Sequence, residues 1–191
     1  ENDIRVSALS RYPEVITMEE QAVDEEELWS LLKETLEGAF TQFVETRITE
    51  GENLKKDLLE KLDGILEDVE AIEKRSPEIV KEYREKLEEK VQELLGDTQI
   101  DEGRIATEVT IYADKVCVDE ETVRLRSHLS QMQAMLSGGG AIGRKLDFLI
   151  QEINRECNTI GSKCSDLTIT QDVVNMKAEV EKIREQVQNI E

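Results

Sequence analysis

The chain has 191 residues, 36% of them charged and 4% aromatic, and its formal net charge is −20. Most nucleic-acid-binding proteins use a basic surface, so this large negative charge argues against nucleic-acid binding over most of the chain. The few aromatic residues exclude a surface on which successive bases stack. Two prolines and the high charged content indicate a mostly helical protein that is long enough to bury a core.

No segment is predicted to span a membrane, because no apolar run approaches the roughly 20 residues that a bilayer requires. No signal peptide is visible either. The three cysteines lie within helical patterns and form no CxxC pair, which favours reduced, core-filling cysteines. We therefore expect a cytoplasmic location.

Residues 1–23 show no sustained period, and Pro13 interrupts them, so we predict a connector from a preceding domain. A long helix is expected to begin at Asp24, whose carboxylate can cap it. Its apolar stripe is interrupted by Arg47 and Glu50. These two charges indicate either an ion pair with a neighbouring helix or a contact with RNA or metal. The apolar residues recur at spacings of three and four: Leu28, Leu32, Leu36, Ala39, Phe40, Phe43, Leu54, Leu58, Leu62, Ile65, Val69 and Ile72.

Ser76 and Pro77 have the pattern of a helix start, with serine as the cap and proline at the first helical position. The short connection predicts that this second helix runs antiparallel to the first. Residues 24–98 would then form a long helical hairpin arm, with a solvated outer surface rich in Glu and Lys.

The helices after Asp101 are predicted to form a bundle over residues 101–191. In the helix from Asp119 to about Leu136, Glu121, Arg124 and His128 share one polar face. His128 is the one histidine of the chain. It is either the general acid or base of an active site or a hydrogen-bonded structural residue.

Gly143 to Lys163 is the most informative stretch. Its apolar residues recur at helical spacing, whereas its polar face is rich in Asn, Asp and Thr, which are poor helix formers. That composition indicates either a buried polar network or a ligand. Glu152 and Glu156, one turn apart, could hold a divalent cation. A last helix after Asp166–Thr170 has an a/d apolar pattern and an amide-rich outer face.

Two of these segments, GRKLDFLIQEINRECNTIGSK and KAEVEKIREQVQNIE, resemble the C-terminal signature of the YicC/YloC family of bacterial endoribonucleases. Three further patches agree in order and spacing: TRITEGENL, ADK and EETVRLRSH. The similarity covers roughly Ala22 to Glu191. It implies metal-dependent cleavage of single-stranded RNA by a ring-like hexamer. Family members also carry an N-terminal α/β domain, which we expect to be absent here apart from its trailing end.

We therefore predict an all-α fold, a helical bundle with a long antiparallel hairpin arm. The predicted function is the C-terminal part of a metal-dependent endoribonuclease that acts in RNA processing or decay. Taken alone, the chain is expected to bind RNA weakly, with strong salt sensitivity, and to cleave it slowly or not at all. The alternative is a non-catalytic helical oligomerisation or adaptor module for RNA-degrading machinery. For the site itself, the alternative is that Glu152 pairs with an arginine of a neighbouring helix and no metal binds.

The candidate site residues fall into three groups. Catalysis is assigned to His128, Glu121 and Glu152. A Mg²⁺ or Mn²⁺ ion is assigned to Glu152, Glu156 and Glu185. Contacts with RNA are assigned to Arg144, Lys145, Arg155, Lys163 and Asn158.

Overall fold

The computed structural model describes residues 4–18, 24–96, 101–138 and 140–190. These residues are mainly helical and contain no strand, so the all-α prediction is confirmed. Among the described helices, none combines the length and the hydrophobicity needed to cross a bilayer. The helices are α1 Val6–Leu9, α2 Glu25–Leu95, α3 Glu102–Val116, α4 Asp119–Gly138, α5 Gly143–Lys163 and α6 Leu167–Val187.

The chain divides into an N-terminal unit, Glu1–Thr49, and a C-terminal unit, Glu50–Glu191. The N-terminal unit holds α1 and the beginning of α2. Asp24 caps α2 as predicted, because its Oδ1 accepts hydrogen bonds from the backbone N–H groups of Glu26 and Glu27 at 3.0 and 3.2 Å. The predicted connector contains α1, and its residues 1–3 and 19–23 lie outside the described part of the chain.

The apolar stripe of the N-terminal unit remains at the surface. Five of its side chains are between 40% and 63% exposed. These are Leu28, Leu32, Leu36, Phe40 and Phe43. The described part of this unit therefore presents an apolar helix face that it does not bury itself.

α2 is one helix of 71 residues with Pro77 inside it, so the antiparallel hairpin predicted at Ser76 and Pro77 needs correction. Pro77 has no N–H to donate to the carbonyl of Glu73, and the helix continues with that hydrogen bond missing. Ile72 and Ile79, two turns apart on one face, are both buried in the same core. Burial of the stripe on both sides of Pro77 outweighs the local helix-start signal.

The C-terminal unit is a helical bundle in which the middle of α2 packs with α4, α5 and α6. Its core therefore includes a segment that the sequence assigned to the arm. α2 and α4 run antiparallel, because the guanidinium of Arg126 donates to Glu73 at 2.6 and 2.9 Å, whereas the later Gln133 donates to the earlier Asp63 at 2.8 Å. The fully buried side chains include Leu58, Leu62, Ile65, Ile72, Leu125, Met132, Leu146, Ile150, Ile160, Ile169 and Met176.

The two ends of α5 are fixed by close contacts with its neighbours. At its end, Lys163 meets Glu121 at the start of α4. At its start, a Cβ on Gly143 would lie 2.8 Å from the carbonyl oxygen of Ile190, so this approach requires glycine. α5 therefore runs antiparallel to both α4 and α6, and its middle is held against α4.

Candidate metal centre

Three predicted site residues converge at the middle of the bundle. His128 of α4, Glu152 and Glu156 of α5 each contribute one ligand atom, and these atoms lie within 4.8 Å of one another. The two glutamates share a face because they are one turn apart. Atoms that bind one cation at about 2.0–2.3 Å lie roughly 3–4.5 Å apart, so the observed spacing is close to that of a ligand set.

Glu156 is buried with incomplete charge compensation. It is 3% exposed, and its charge partner is Arg124, whose Nη1 lies 3.6 Å from Oε1. That separation exceeds a hydrogen bond, and no hydrogen bond to this carboxylate occurs among the described residues. A buried carboxylate is costly unless it is paired and hydrogen-bonded. A cation between Glu156 and its neighbours would supply the missing compensation.

His128 and Glu152 are also available to a cation. Nδ1 of His128 is buried without a hydrogen-bond partner, which is unusual for a buried polar atom. Glu152 pairs with Arg155 of its own helix at 3.7 Å, a long contact that contributes little. One imidazole and two carboxylates therefore fit a divalent cation. The mixed nitrogen and oxygen set favours Mn²⁺ over Mg²⁺, which prefers oxygen ligands alone.

Glu121 and Lys163, assigned to catalysis and to RNA, instead bind each other. Lys163 Nζ donates to both carboxylate oxygens of the buried Glu121 at 2.8 and 2.9 Å, and to the carbonyl oxygen of Cys117 at 3.1 Å. The hydrogen bond with Glu121 raises the pKa of Lys163. Glu121 precedes His128 by two helical turns, roughly 10 Å along α4, so it stands apart from the metal cluster.

Glu185 lies exposed on α6 and is not part of the one His and carboxylate cluster found among the described residues. The third potential ligand beside Glu152 and Glu156 is His128 rather than Glu185. Arg144 and Lys145 are exposed in the first turn of α5, two turns before Glu152. Arg47 and Glu50 are exposed on α2 rather than buried.

The polar face of α5 forms an open groove with a volume of about 570 Å³. Part of it is occupied by internal hydrogen bonds: Gln151 donates to Asp147 at 3.0 Å, and Lys177 of α6 donates to Asn158 at 2.8 Å. Oδ1 of Asn154 is buried without a partner. The hydrogen bonds fit a polar network, and the unpaired Asn154 oxygen in an open groove fits a surface that binds a ligand. The lining residues are Gln151, Asn154, Arg155, Asn158, Thr159 and Ser162.

Sequence reasoning did not assign a role to Arg124. It precedes His128 by four residues on α4 and lies beside Glu156, within the same cluster. The signal was present in the i, i+4 spacing of Arg124 and His128, which places both on one helix face. Without the position of α5, however, that spacing did not indicate which carboxylate they would meet.

An all-α bundle with a histidine–carboxylate cluster beside a polar groove defines a class of candidate metalloprotein. Comparison with protein families gives two matches: residues 72–191 match the family described as "Endoribonuclease YicC-like, C-terminal", and residues 1–56 match "Endoribonuclease YicC-like, N-terminal region". The chain belongs to this family, which confirms the resemblance. The expected absence of the N-terminal domain is corrected, because the N-terminal match includes the predicted connector and the beginning of α2.

Two curated relatives align with the whole chain. It is 48% identical over 191 residues to "Probable endoribonuclease YicC" of Clostridioides difficile (strain 630). It is 34% identical over 191 residues to the protein of the same name from Haemophilus influenzae (strain ATCC 51907 / DSM 11121 / KW20 / Rd). The chain spans 65% of the length of each relative.

Proposed function

We propose that this chain carries the metal centre of an endoribonuclease that hydrolyses single-stranded RNA. The observation that carries the proposal is the cluster of His128, Glu152 and Glu156, in which Glu156 is buried without full charge compensation. The names of both relatives, each a probable endoribonuclease, support the reaction class. Such an enzyme would act on RNA in the cytoplasm, alone or with other RNA-decay proteins.

The cluster has the chemistry that phosphodiester hydrolysis requires. A bound divalent cation would stabilise the charge that develops on the phosphoryl oxygens and lower the pKa of the attacking water. Glu152 and Glu156 would hold it through carboxylate oxygens, and His128 through one ring nitrogen. We assign His128 to the metal rather than to proton transfer, because a nitrogen that binds a cation cannot also accept a proton.

The exposed face of α5 is the proposed path of the RNA. Arg144 and Lys145 lie at its start and Arg155 further along, where their charges can meet phosphates. The amides of the groove, including Asn158, can hydrogen-bond to the edges of unpaired bases, which favours a single-stranded substrate. Lys163 contributes less than the sequence suggested, because Glu121 already neutralises it.

Glu152→Gln tests the proposal. The substitution keeps the size of the side chain but removes its charge, so we expect Mn²⁺-dependent cleavage of single-stranded RNA by the full-length enzyme to fall by at least about a hundredfold while the melting temperature changes little. The matched control is Glu179→Gln, because Glu179 also pairs with a basic residue three positions on, and its side chain is 31% exposed compared with 27% for Glu152. Cleavage that persists while stability drops would make Glu152 a structural residue.

A second candidate function is a non-catalytic assembly module. The exposed apolar face of the N-terminal unit favours it, because such a face on a helix is typical of an association surface. This candidate predicts that the purified protein does not bind Mn²⁺. Mn²⁺ binding that Glu152→Gln or Glu156→Gln abolishes would exclude it.

A further inference from the structure

We propose that Arg124 is the residue that binds the scissile phosphate of the substrate, an RNA phosphodiester. The inference rests on the proposed function, since it needs a metal-dependent nuclease centre at His128, Glu152 and Glu156. It adds a residue to which neither the sequence motifs nor the family resemblance gave a role.

The position of Arg124 is the first argument. It lies one turn before His128 on the same face of α4, and its Nη1 is 3.6 Å from Glu156 Oε1. The carboxylate is buried, whereas the side chain of Arg124 is 48% exposed. The guanidinium therefore lies at the mouth of the cluster, where it can reach both the metal ligands and a group that arrives from solvent.

The second argument is that neighbouring residues fix the position of Arg124 but do not use all of its hydrogen-bond donors. Its Nη2 contacts Glu120 on the preceding turn, whereas the contact with Glu156 is too long for a hydrogen bond. A cation that compensates Glu156 would leave that side of the guanidinium free to donate. A planar guanidinium can then make two parallel hydrogen bonds to a phosphate.

Charge balance is the third argument. The two carboxylates of the cluster cancel a divalent cation, and a neutral imidazole adds nothing, so the loaded site would be neutral without Arg124. Glu120, its other partner, is largely exposed, and water screens its charge. Because the whole chain carries −20, a polyanionic substrate is attracted only where local positive charge exists. Arg124 supplies that charge beside the reacting phosphate.

Other basic side chains of α4 and α5 are less suitable. Lys163 is bound to Glu121, and Arg126 makes two short hydrogen bonds to Glu73 of α2. Arg155 pairs with Glu152, but its side chain is 71% exposed and lies on the groove side of α5. Arg155 therefore fits a flanking phosphate better than the scissile one.

The test compares Arg124→Gln with the unsubstituted protein, both as the full-length enzyme, in three assays. Mn²⁺ binding, measured by calorimetry without RNA, is expected to stay within about threefold or to tighten, because a cation beside the ligands has been removed. Single-turnover cleavage of a short single-stranded RNA at saturating Mn²⁺ is expected to fall by at least about a hundredfold. The slope of log affinity for that RNA against log salt concentration should decrease by about 0.7, the loss of one phosphate contact. Arg124→Lys should recover part of the cleavage rate.

The matched control is Arg184→Gln. Arg184 also pairs with a glutamate of its own helix, and its side chain is 44% exposed, but it lies on α6. It should leave cleavage and Mn²⁺ binding unchanged. Normal cleavage by Arg124→Gln would overturn the inference while the nuclease proposal stands. Loss of Mn²⁺ binding in Arg124→Gln would also overturn it, because Arg124 would then only position Glu156. Failure of the nuclease proposal looks different: the unsubstituted protein itself would bind no Mn²⁺.

Discussion

Lys163 and Glu121 form an ion pair that joins the end of α5 to the start of α4, with Nζ 2.8 Å from Oε1 and 2.9 Å from Oε2. The carboxylate is buried, whereas the lysine remains about one-third exposed. This pair lies two turns from His128, so it stabilises the antiparallel packing of α4 and α5 without belonging to the metal cluster.

Glu121→Gln should therefore reduce stability and spare metal binding. It leaves the Lys163 ammonium without its charged partner, which is expected to cost roughly 1–3 kcal/mol. For a protein of this size, that corresponds to a melting temperature lower by about 2–10 °C. Thermal unfolding followed by circular dichroism measures the change, and calorimetry with Mn²⁺ provides the control. An unchanged melting temperature combined with lost cleavage would place Glu121 in catalysis instead.

Pro77→Ala should stabilise the protein, because alanine restores the N–H that donates to the carbonyl of Glu73 and suits a helix interior. Proline inside a helix costs about 3 kcal/mol, and Pro77 is exposed, so most of that amount should be recovered without loss of packing. A raised melting temperature is the expected result. If α2 instead ended before Pro77 and a new helix began there, the same substitution would be neutral or destabilising.

Asp68→Asn should raise stability near neutral pH. Burial raises the pKa of the Asp68 carboxyl, and the negative charge of Asp172 raises it further. Because this pKa is higher in the folded than in the unfolded state, the folded protein binds more protons between the two values, and stability falls as the pH rises through that window. Asparagine removes the penalty, so the gain should disappear toward about pH 4, where the unfolded carboxyl also becomes protonated.

Melting temperatures of Asp68→Asn across this pH range check the effect. The control is Asp114→Asn, which makes the same chemical change at an exposed position of α3. A loss of stability at every pH would show that the charged form of Asp68 makes a favourable interaction.

The exposed apolar face of the N-terminal unit predicts self-association. We expect at least a dimer at tens of micromolar, and the family resemblance implies a hexamer. Phe40→Ser should shift the distribution toward smaller species, since it removes a large apolar contact. Light scattering measures the mass, and Phe148→Ser, at 59% exposure compared with 63% for Phe40, is the matched control. A monomer in the unsubstituted protein would contradict this prediction.

Much of the local structure follows from the sequence alone. The period of the apolar residues predicted the helical character of the chain and the buried faces of α4, α5 and α6, because in a helix side chains three and four positions apart share a face. The stripe of the N-terminal unit has the same period but stays exposed. Asp24 was recognisable as a helix cap, since a short carboxylate there can accept the free N–H groups of the first turn. The spacing of Glu152 and Glu156 likewise placed two carboxylates together before any packing was known.

Tertiary structure decided the rest. Ser76 and Pro77 carry a local start signal, but burial of Ile72 and Ile79 in one core keeps α2 continuous. Glu121 and His128 share a helix face, but they meet different residues of α5. Glu121 pairs with Lys163, whereas His128 lies beside Glu152 and Glu156. Periodicity shows which face of a helix is buried. The partner that each polar side chain meets depends on how far one helix is shifted along the next, and only the packing of the assembled core sets that distance.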